Sequence, residues 1–338
     1  MSANTDPTVV ITGASAGVGR ATARAFAEKG ARIGLLARGE AGLEAAKQEV
    51  VDAGSEAVVV ETDVAHPEQV DTAAEAVEEA FGPIDIWVNN AMTSVFSPVS
   101  EMEPDEYERV TAVTYLGYVY GTQVALDHMR PRDEGTIIQV GSALAYRGIP
   151  LQSAYCGGKH AIQGFTESVR TELIHEDSNI QLTMVQMPAL NTPQFEWVRS
   201  RLPNKPQPVP PIYQPEVAAE AIVWAAHNDR NELWVGGSTL KAILGNRVIP
   251  RRLDYLLART GWNAQMIDEP VDSDRADNLR EPVDDDTDFG ARGSFDNKAR
   301  ERSYLLWAMT HPKQVAALTV GVAFLLWDLL GRLGDGSA

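Results

Sequence analysis

The sequence predicts a doubly wound α/β fold built on a parallel sheet, on three observations. Short β-branched runs alternate with longer amphipathic stretches across residues 8–237, as strands and crossover helices do when both faces of a sheet are covered. The first of these runs leads through Thr12-Gly13-Ala14-Ser15-Ala16-Gly17-Val18-Gly19 into a helical pattern. Bare N–H groups and the helix dipole make such a turn a phosphate cradle. Gly141-Ser142 follows the apolar run 136–140, at the carboxyl edge where open α/β sheets bind ligands.

Taken in order, residues 8–12 form the first strand. The spacing G-x-x-x-G-x-G that follows differs from the commoner G-x-G-x-x-G, but it stands in the strand-turn-helix context of a Rossmann-type dinucleotide site. The second strand, 32–36, ends at Ala37-Arg38. A carboxylate at this point would bond a ribose 2′-hydroxyl, whereas an arginine can pair with a 2′-phosphate, so NADP is expected over NAD. The competing reading of Arg38 is a surface residue opening the helix 41–53. Strand 58–61 leads into Thr62-Asp63-Val64, helix 68–81 follows, and strand 84–88 runs into Asn89-Asn90-Ala91-Met92. One long helix is expected over 104–129, then strand 136–140, a helix from Tyr155 through Leu173, and strand 180–186 ending at Met187-Pro188. Residues 191–213 are rich in proline and carry Phe195 and Trp197. The segment is either a substrate lid or a rigid surface connection, since a loop this long is usually functional or disordered. Helix 216–226 and strand 232–235 complete the α/β unit.

Within the run Tyr155-Cys156-Gly157-Gly158-Lys159, the tyrosine and lysine stand four residues apart and share one helix face. Free tyrosine titrates near ~10, and a fixed cation beside it stabilises the phenolate. That tuning suits a general acid or base. Two adjacent glycines in a helix interior cost about 0.8–1 kcal/mol each, so the helix needs close backbone approach there.

Composition narrows the function classes. The 338 residues are 44% hydrophobic and 22% charged, an ordinary globular balance. A net charge of −18 disfavours nucleic-acid binding, which needs clustered positive charge. The single cysteine, Cys156, excludes an intrachain disulfide and fits a reducing, cytoplasmic setting. The six histidines are scattered without ligand spacing, so no metal is expected. No secretory signal is read at the N-terminus.

Together, Thr12-Gly13-x3-Gly17-x-Gly19, Asp63-Val64, Asn89-Asn90-Ala91, Ser142, Tyr155 and Lys159 resemble the short-chain dehydrogenase/reductase family, over about residues 8–237. The resemblance implies hydride transfer between NADP(H) and a hydroxyl or carbonyl group of a small molecule. Tyr155 would act as general acid/base, Ser142 would place the reacting oxygen, and Lys159 would hold the nicotinamide ribose and acidify Tyr155. Gly13, Ser15, Gly17, Val18 and Gly19 would cradle the pyrophosphate, and Arg38, Asp63 and Val64 would line the adenosine end. Asn90 and Ala91 would support the cofactor, and Pro188 with Thr192 would close over the nicotinamide. By the same resemblance the helix around 111–125 and the Tyr155 helix form a homodimer or homotetramer interface, with Val113, Leu116, Tyr118 and Tyr120 compatible with it. Two residues depart from the family pattern. Met92 stands where the family has glycine, and Thr114 stands where a fourth catalytic residue, an asparagine, holds a relay water. Thr114 is expected to serve a modified relay. A non-catalytic NADP(H)-binding sensor or scaffold is the alternative these two departures motivate.

The expected organisation is a catalytic domain over 1–237, a helical extension over 238–267, an acidic flexible linker over 268–300 and an apolar C-terminal helix over 301–338. Ten acidic residues between Asp268 and Asp288 face only two arginines there, the composition of a solvated connector. Residues 315–330 would make about 24 Å of helix at ~1.5 Å per residue, short of a ~30 Å hydrocarbon core. The stretch reads as a membrane anchor on the cytoplasmic face or as a helix docked on the protein. The long acidic tether favours the anchor.

Overall fold

The computed structural model describes residues 6–272 and 274–320. Seven parallel strands form its central sheet: β1 (Thr8–Thr12), β2 (Arg32–Ala37), β3 (Ala57–Glu61), β4 (Ile86–Asn89), β5 (Thr136–Val140), β6 (Gln181–Gln186) and β7 (Glu232–Trp234). Their order is β3-β2-β1-β4-β5-β6-β7. The order reverses between β1 and β4, and a crevice opens at such a switch point.

Alternation along β1 shows why the strands are apolar on both faces. Val9 and Ile11 point to the layer of α1 (Gly17–Ala27), α2 (Glu40–Asp52) and a helix at Pro215–Ala226, while Val10 points to the layer of α3 (Pro67–Phe81) and the helices that follow β4. Phe26, Leu35, Trp87 and Ile137 are among the largest fully buried side chains, each contributing about 1.5–3 kcal/mol. The polar residues in this core are satisfied by one another. Asn89 Nδ2 donates to Thr122 Oγ1 (3.1 Å) and Gln139 Oε1 (3.0 Å), Trp87 Nε1 donates to Asn89 Oδ1 (2.8 Å), and Gln139 Nε2 donates to Thr122 Oγ1 (2.8 Å).

The single helix expected over 104–129 is broken. It runs as α4 (Pro104–Thr111), a π-helical turn (Ala112–Leu116) and α5 (Gly117–Met129). The break follows from Thr114, whose hydroxyl donates to Thr93 O (2.8 Å) and accepts from Thr93 N (3.1 Å), drawing the turn toward the strand-end loop. α6 (Ser153–His175) then carries Tyr155 and Lys159. The dimer-face reading does not hold for Val113 and Tyr118. They are 7% and 1% exposed and belong to the chain's own core, Val113 in the cluster that includes Val64 and Val70, and Tyr118 in the one that includes Ala145 and Ile162.

Beyond β7 the chain does not leave the domain. Two helices, Gly237–Val248 and Pro250–Thr260, are followed by a strand, Met266–Pro270, that pairs antiparallel with Asn204–Pro206 of the proline-rich segment. Residues 274–296 then lie along the carboxyl edge of the sheet. Ala299–Arg300 pairs with Ile212–Tyr213, and a helix at Tyr304–Thr310 buries Leu306 in the main core. The acidic segment is therefore bound, contrary to the flexible linker expected. Leu279, Ala291 and Phe295 within it are buried, and arginines of the domain meet its acids, as in Arg199 Nε to Asp277 Oδ2 at 2.9 Å and Arg20 to Asp288. Among the described residues no helix is long and apolar enough to cross a membrane. The anchor reading falls largely on residues 321–338, outside those described.

Candidate active site

The switch-point crevice holds a cavity of about 420 Å³. Gly13 and Gly17 have φ of +66° and +58°, and a Cβ on Gly19 would stand 2.0 Å from Gly13 O. A side chain at any of the three would fill or break the turn. Thr12 Oγ1 accepts from the N–H groups of Asn90 (2.9 Å) and Ala91 (3.0 Å), and Asn90 Nδ2 donates to Thr12 O (2.9 Å). The turn after β1 is thus tied to the end of β4. Gly13, Ser15, Gly17 and Val18 line the cavity with Asn90 and Ala91, while Gly19 lies beneath it. Pro188 and Thr192 close the cavity from the loop after β6, with the Thr192 Cβ 3.3 Å from where a Gly17 Cβ would be.

At the far end stand Arg38, Asp63 and Val64. Burial would raise the Asp63 carboxyl, but Arg109, 2.6 Å away, holds it below the ordinary carboxylate range. Burial pushes the Arg38 guanidinium down. Two of its five N–H donors are already engaged, by the carbonyls of Asn278 (2.6 Å) and Arg280 (2.6 Å).

Ser142 and Tyr155 meet at the centre. The Ser142 N–H donates to Gln186 Oε1 (2.8 Å), and its Oγ accepts from Leu144 N (3.1 Å). The Tyr155 phenol lines the same cavity. Burial pushes it above its ordinary value, more than a hydrogen bond with Ser142 brings it down. Lys159 is buried, and its Nζ donates to Val140 O (2.8 Å) and Tyr118 Oη (3.0 Å), 5.6 Å from the Tyr155 ring centre. Desolvation brings its ammonium down to about 7. Both groups are removed from water, and burial disfavours the charged form of each.

The family model described as short chain dehydrogenase matches residues 7–202. The chain belongs to the short-chain dehydrogenase family. It is an oxidoreductase, as its relatives are named. One is the "uncharacterized oxidoreductase YxnA" of Bacillus subtilis (strain 168), 34% identical over 319 residues, covering 94% of this chain and 89% of the relative. Levodione reductase of Leifsonia aquatica is 33% identical, over 57% of this chain and 72% of its own. Among solved structures, a metagenomic short-chain oxidoreductase in complex with NADP matches with a TM-score of 0.57 and 26% identity, over 68% of this chain and 96% of that one.

In this short-chain dehydrogenase Thr114 does not line the cavity, and its hydroxyl is closed on the Thr93 backbone. One turn further on, Tyr118 meets Lys159 and also donates to Val140 O (2.9 Å). The sequence left Tyr118 between a subunit face and the intrachain core, and the fold brings it, just after the π-helical turn, to the lysine. Gln186, which holds the Ser142 backbone, was also missed. A Cβ on Gly141 would stand 2.3 Å from its Oε1, so a glycine before Ser142 is the one trace it leaves in the sequence. The hydroxyls of Thr93 and Ser94 line the cavity, buried, with no hydrogen-bond partner among the described residues. Met92 also lies on the wall. The open glycine turn and these two unpartnered hydroxyls fit a nicotinamide dinucleotide with its substrate. Phe96, Leu144, Ile149, Phe195, Val209 and Ala242 give the remaining wall its apolar character.

Proposed function

We propose that this enzyme transfers a hydride between NADP(H) and a hydroxyl/carbonyl pair of an apolar small molecule, with Tyr155 as general acid/base. The observation that carries the reading is one cavity shared by the Gly13 turn, Ser142, Tyr155, Lys159 and an apolar wall. When bound, the nicotinamide cofactor supplies or accepts the hydride. Tyr155 gives its phenolic proton to the substrate oxygen in reduction and takes it back in oxidation. Ser142 positions that oxygen by hydrogen bonding. Lys159, anchored on Val140 O and Tyr118, would hold the nicotinamide ribose and place positive charge near the developing phenolate. Apolar walls exclude water and select the substrate's polarity.

Turnover of a panel of ketones and aldehydes tests the reading. Tyr155→Phe should lower kcat by about 10²–10⁴ while dinucleotide affinity, read by fluorescence, stays the same. Tight dinucleotide binding without turnover in the wild type would instead support a sensor.

NADP(H) is proposed over NAD(H) because Arg38 keeps N–H donors beyond the two its carbonyl partners take, and a charge-assisted phosphate contact is among the strong ones. Arg38→Ala should weaken NADPH binding at least tenfold more than NADH binding. Equal losses would leave Arg38 as an anchor for the C-terminal segment alone.

A further inference from the structure

The C-terminal segment brings a carboxylate to the adenosine corner that the nucleotide-binding half of the chain lacks. β2 ends in Ala37 without an acid. Asp284 fills that place from more than 240 residues away in sequence, as the Arg38–Arg280 and Arg38–Asn278 bonds record for its neighbours. It is 9% exposed and lines the cavity with Arg38 and Ser15, and among the described residues its carboxylate accepts no hydrogen bond. The seat is built for it. A Cβ on Gly39 would stand 2.0 Å from its Oδ1, and one on Gly42 would stand 2.7 Å from its Oδ2 and 2.9 Å from Ser15 Cβ. Gly42 N donates to Asp284 O (3.0 Å) and Ala41 N to Asp285 O (3.1 Å), which fixes the backbone on the first turn of α2.

The carboxylate lies near the Arg38 guanidinium and faces the cavity, with acceptor capacity left for a ligand donor. At the end of the second strand of a dinucleotide fold, the ligand group present is the adenosine ribose 2′ position. A 2′-hydroxyl can donate to a carboxylate there. A 2′-phosphate only repels it.

We propose that Asp284 is a specificity-determining residue of the cofactor site, favouring the 2′-hydroxyl of NAD(H) and opposing the attraction of Arg38 for the 2′-phosphate of NADP(H). The discrimination between the two cofactors is then a balance of two side chains, one from the end of β2 and one from the C-terminal segment. This rests on the dinucleotide reading above.

The test is equilibrium binding of NADPH and NADH to the full-length protein, followed by nucleotide fluorescence. Asp284→Asn keeps the shape and removes the charge. It should shift the NADPH-to-NADH affinity ratio at least tenfold toward NADPH, whereas Asp286→Asn, an exposed acid of the same segment, should leave the ratio within twofold. Limited trypsin digestion checks that the segment stays seated, with Arg280 equally protected in the wild type and in Asp284→Asn. Binding of both cofactors with an unchanged ratio overturns the role of Asp284 alone. The same shift in Asp286→Asn, or a shift seen only with new cleavage at Arg280, also overturns it. Binding of neither cofactor to the wild type sinks the dinucleotide reading and this inference with it.

Discussion

Lys159 is the buried cation of the cavity, and its charge state lies close to balance. An exposed lysine titrates near ~10.4, whereas burial brings this one to about 7. Between these values the unfolded chain holds a proton that the folded chain releases, so stability rises with pH. Below about 7 both states are protonated and the slope vanishes. Denaturant titrations of the cofactor-free protein from pH 6 to 9.5 should therefore show unfolding free energy rising above pH 7, by at most ~1.4 kcal/mol per unit. Lys159→Met should flatten that rise. Tyr118 accepts from the ammonium at 3.0 Å, so Tyr118→Phe should start the rise at a lower pH. An unchanged profile in both variants would mean that Lys159 does not titrate in this range. Ser142, Tyr155 and Lys159 were readable in the sequence because the helix period puts the last two on one face. Tyr118 was not, because its approach to Lys159 depends on a turn whose hydrogen bonds do not follow the helical repeat.

At the scale of elements, β4, β5 and α5 are joined by polar side chains buried between them. Asn89 lies at the centre of this set, 1% exposed, with Trp87, Thr122 and Gln139 around it. Asn89→Ala would strand several of these donors and acceptors without water. At about 1–3 kcal/mol for each buried group left unpaired, a loss of at least about 2 kcal/mol is expected in chemical denaturation. A change under about 0.5 kcal/mol would show that solvent reaches the set. The strands themselves were legible in the sequence within a residue or two, since a strand buried on both faces is a nearly unbroken apolar run. The interruption of the helix at Ala112–Leu116 was not, because it comes from a bond between Thr114 and Thr93.

For the whole molecule, the C-terminal segment is the decisive part. Phe295 packs between Phe195 and its neighbours, Ser303 Oγ accepts from Gly236 N (2.9 Å), Gln214 N donates to Arg300 O (3.0 Å), and Leu306 enters the main core. A chain ending at residue 288 loses all of these. Burial of Phe295 and Leu306 alone contributes at least about 3 kcal/mol, so residues 1–288 should melt well below residues 1–310 in thermal denaturation. Equal melting temperatures would make the segment an appendage.

The parallel α/β architecture was legible in the sequence, as were the glycine turn and the Ser142, Tyr155 and Lys159 set that the fold gathers in one cavity. Each depends on local periodicity or on a short motif, and local rules carry that information. Only the tertiary structure decided that the acidic segment is bound and not solvated, that Asp284 lines the cavity with Arg38 and that Tyr118 meets Lys159. Composition registers a run of acids as solvated charge because it counts only neighbours along the chain. The arginines and glycines that receive this run, Arg20, Arg38, Gly39 and Gly42, lie more than 200 residues earlier in the chain, and long-range pairing of that kind leaves no periodic trace.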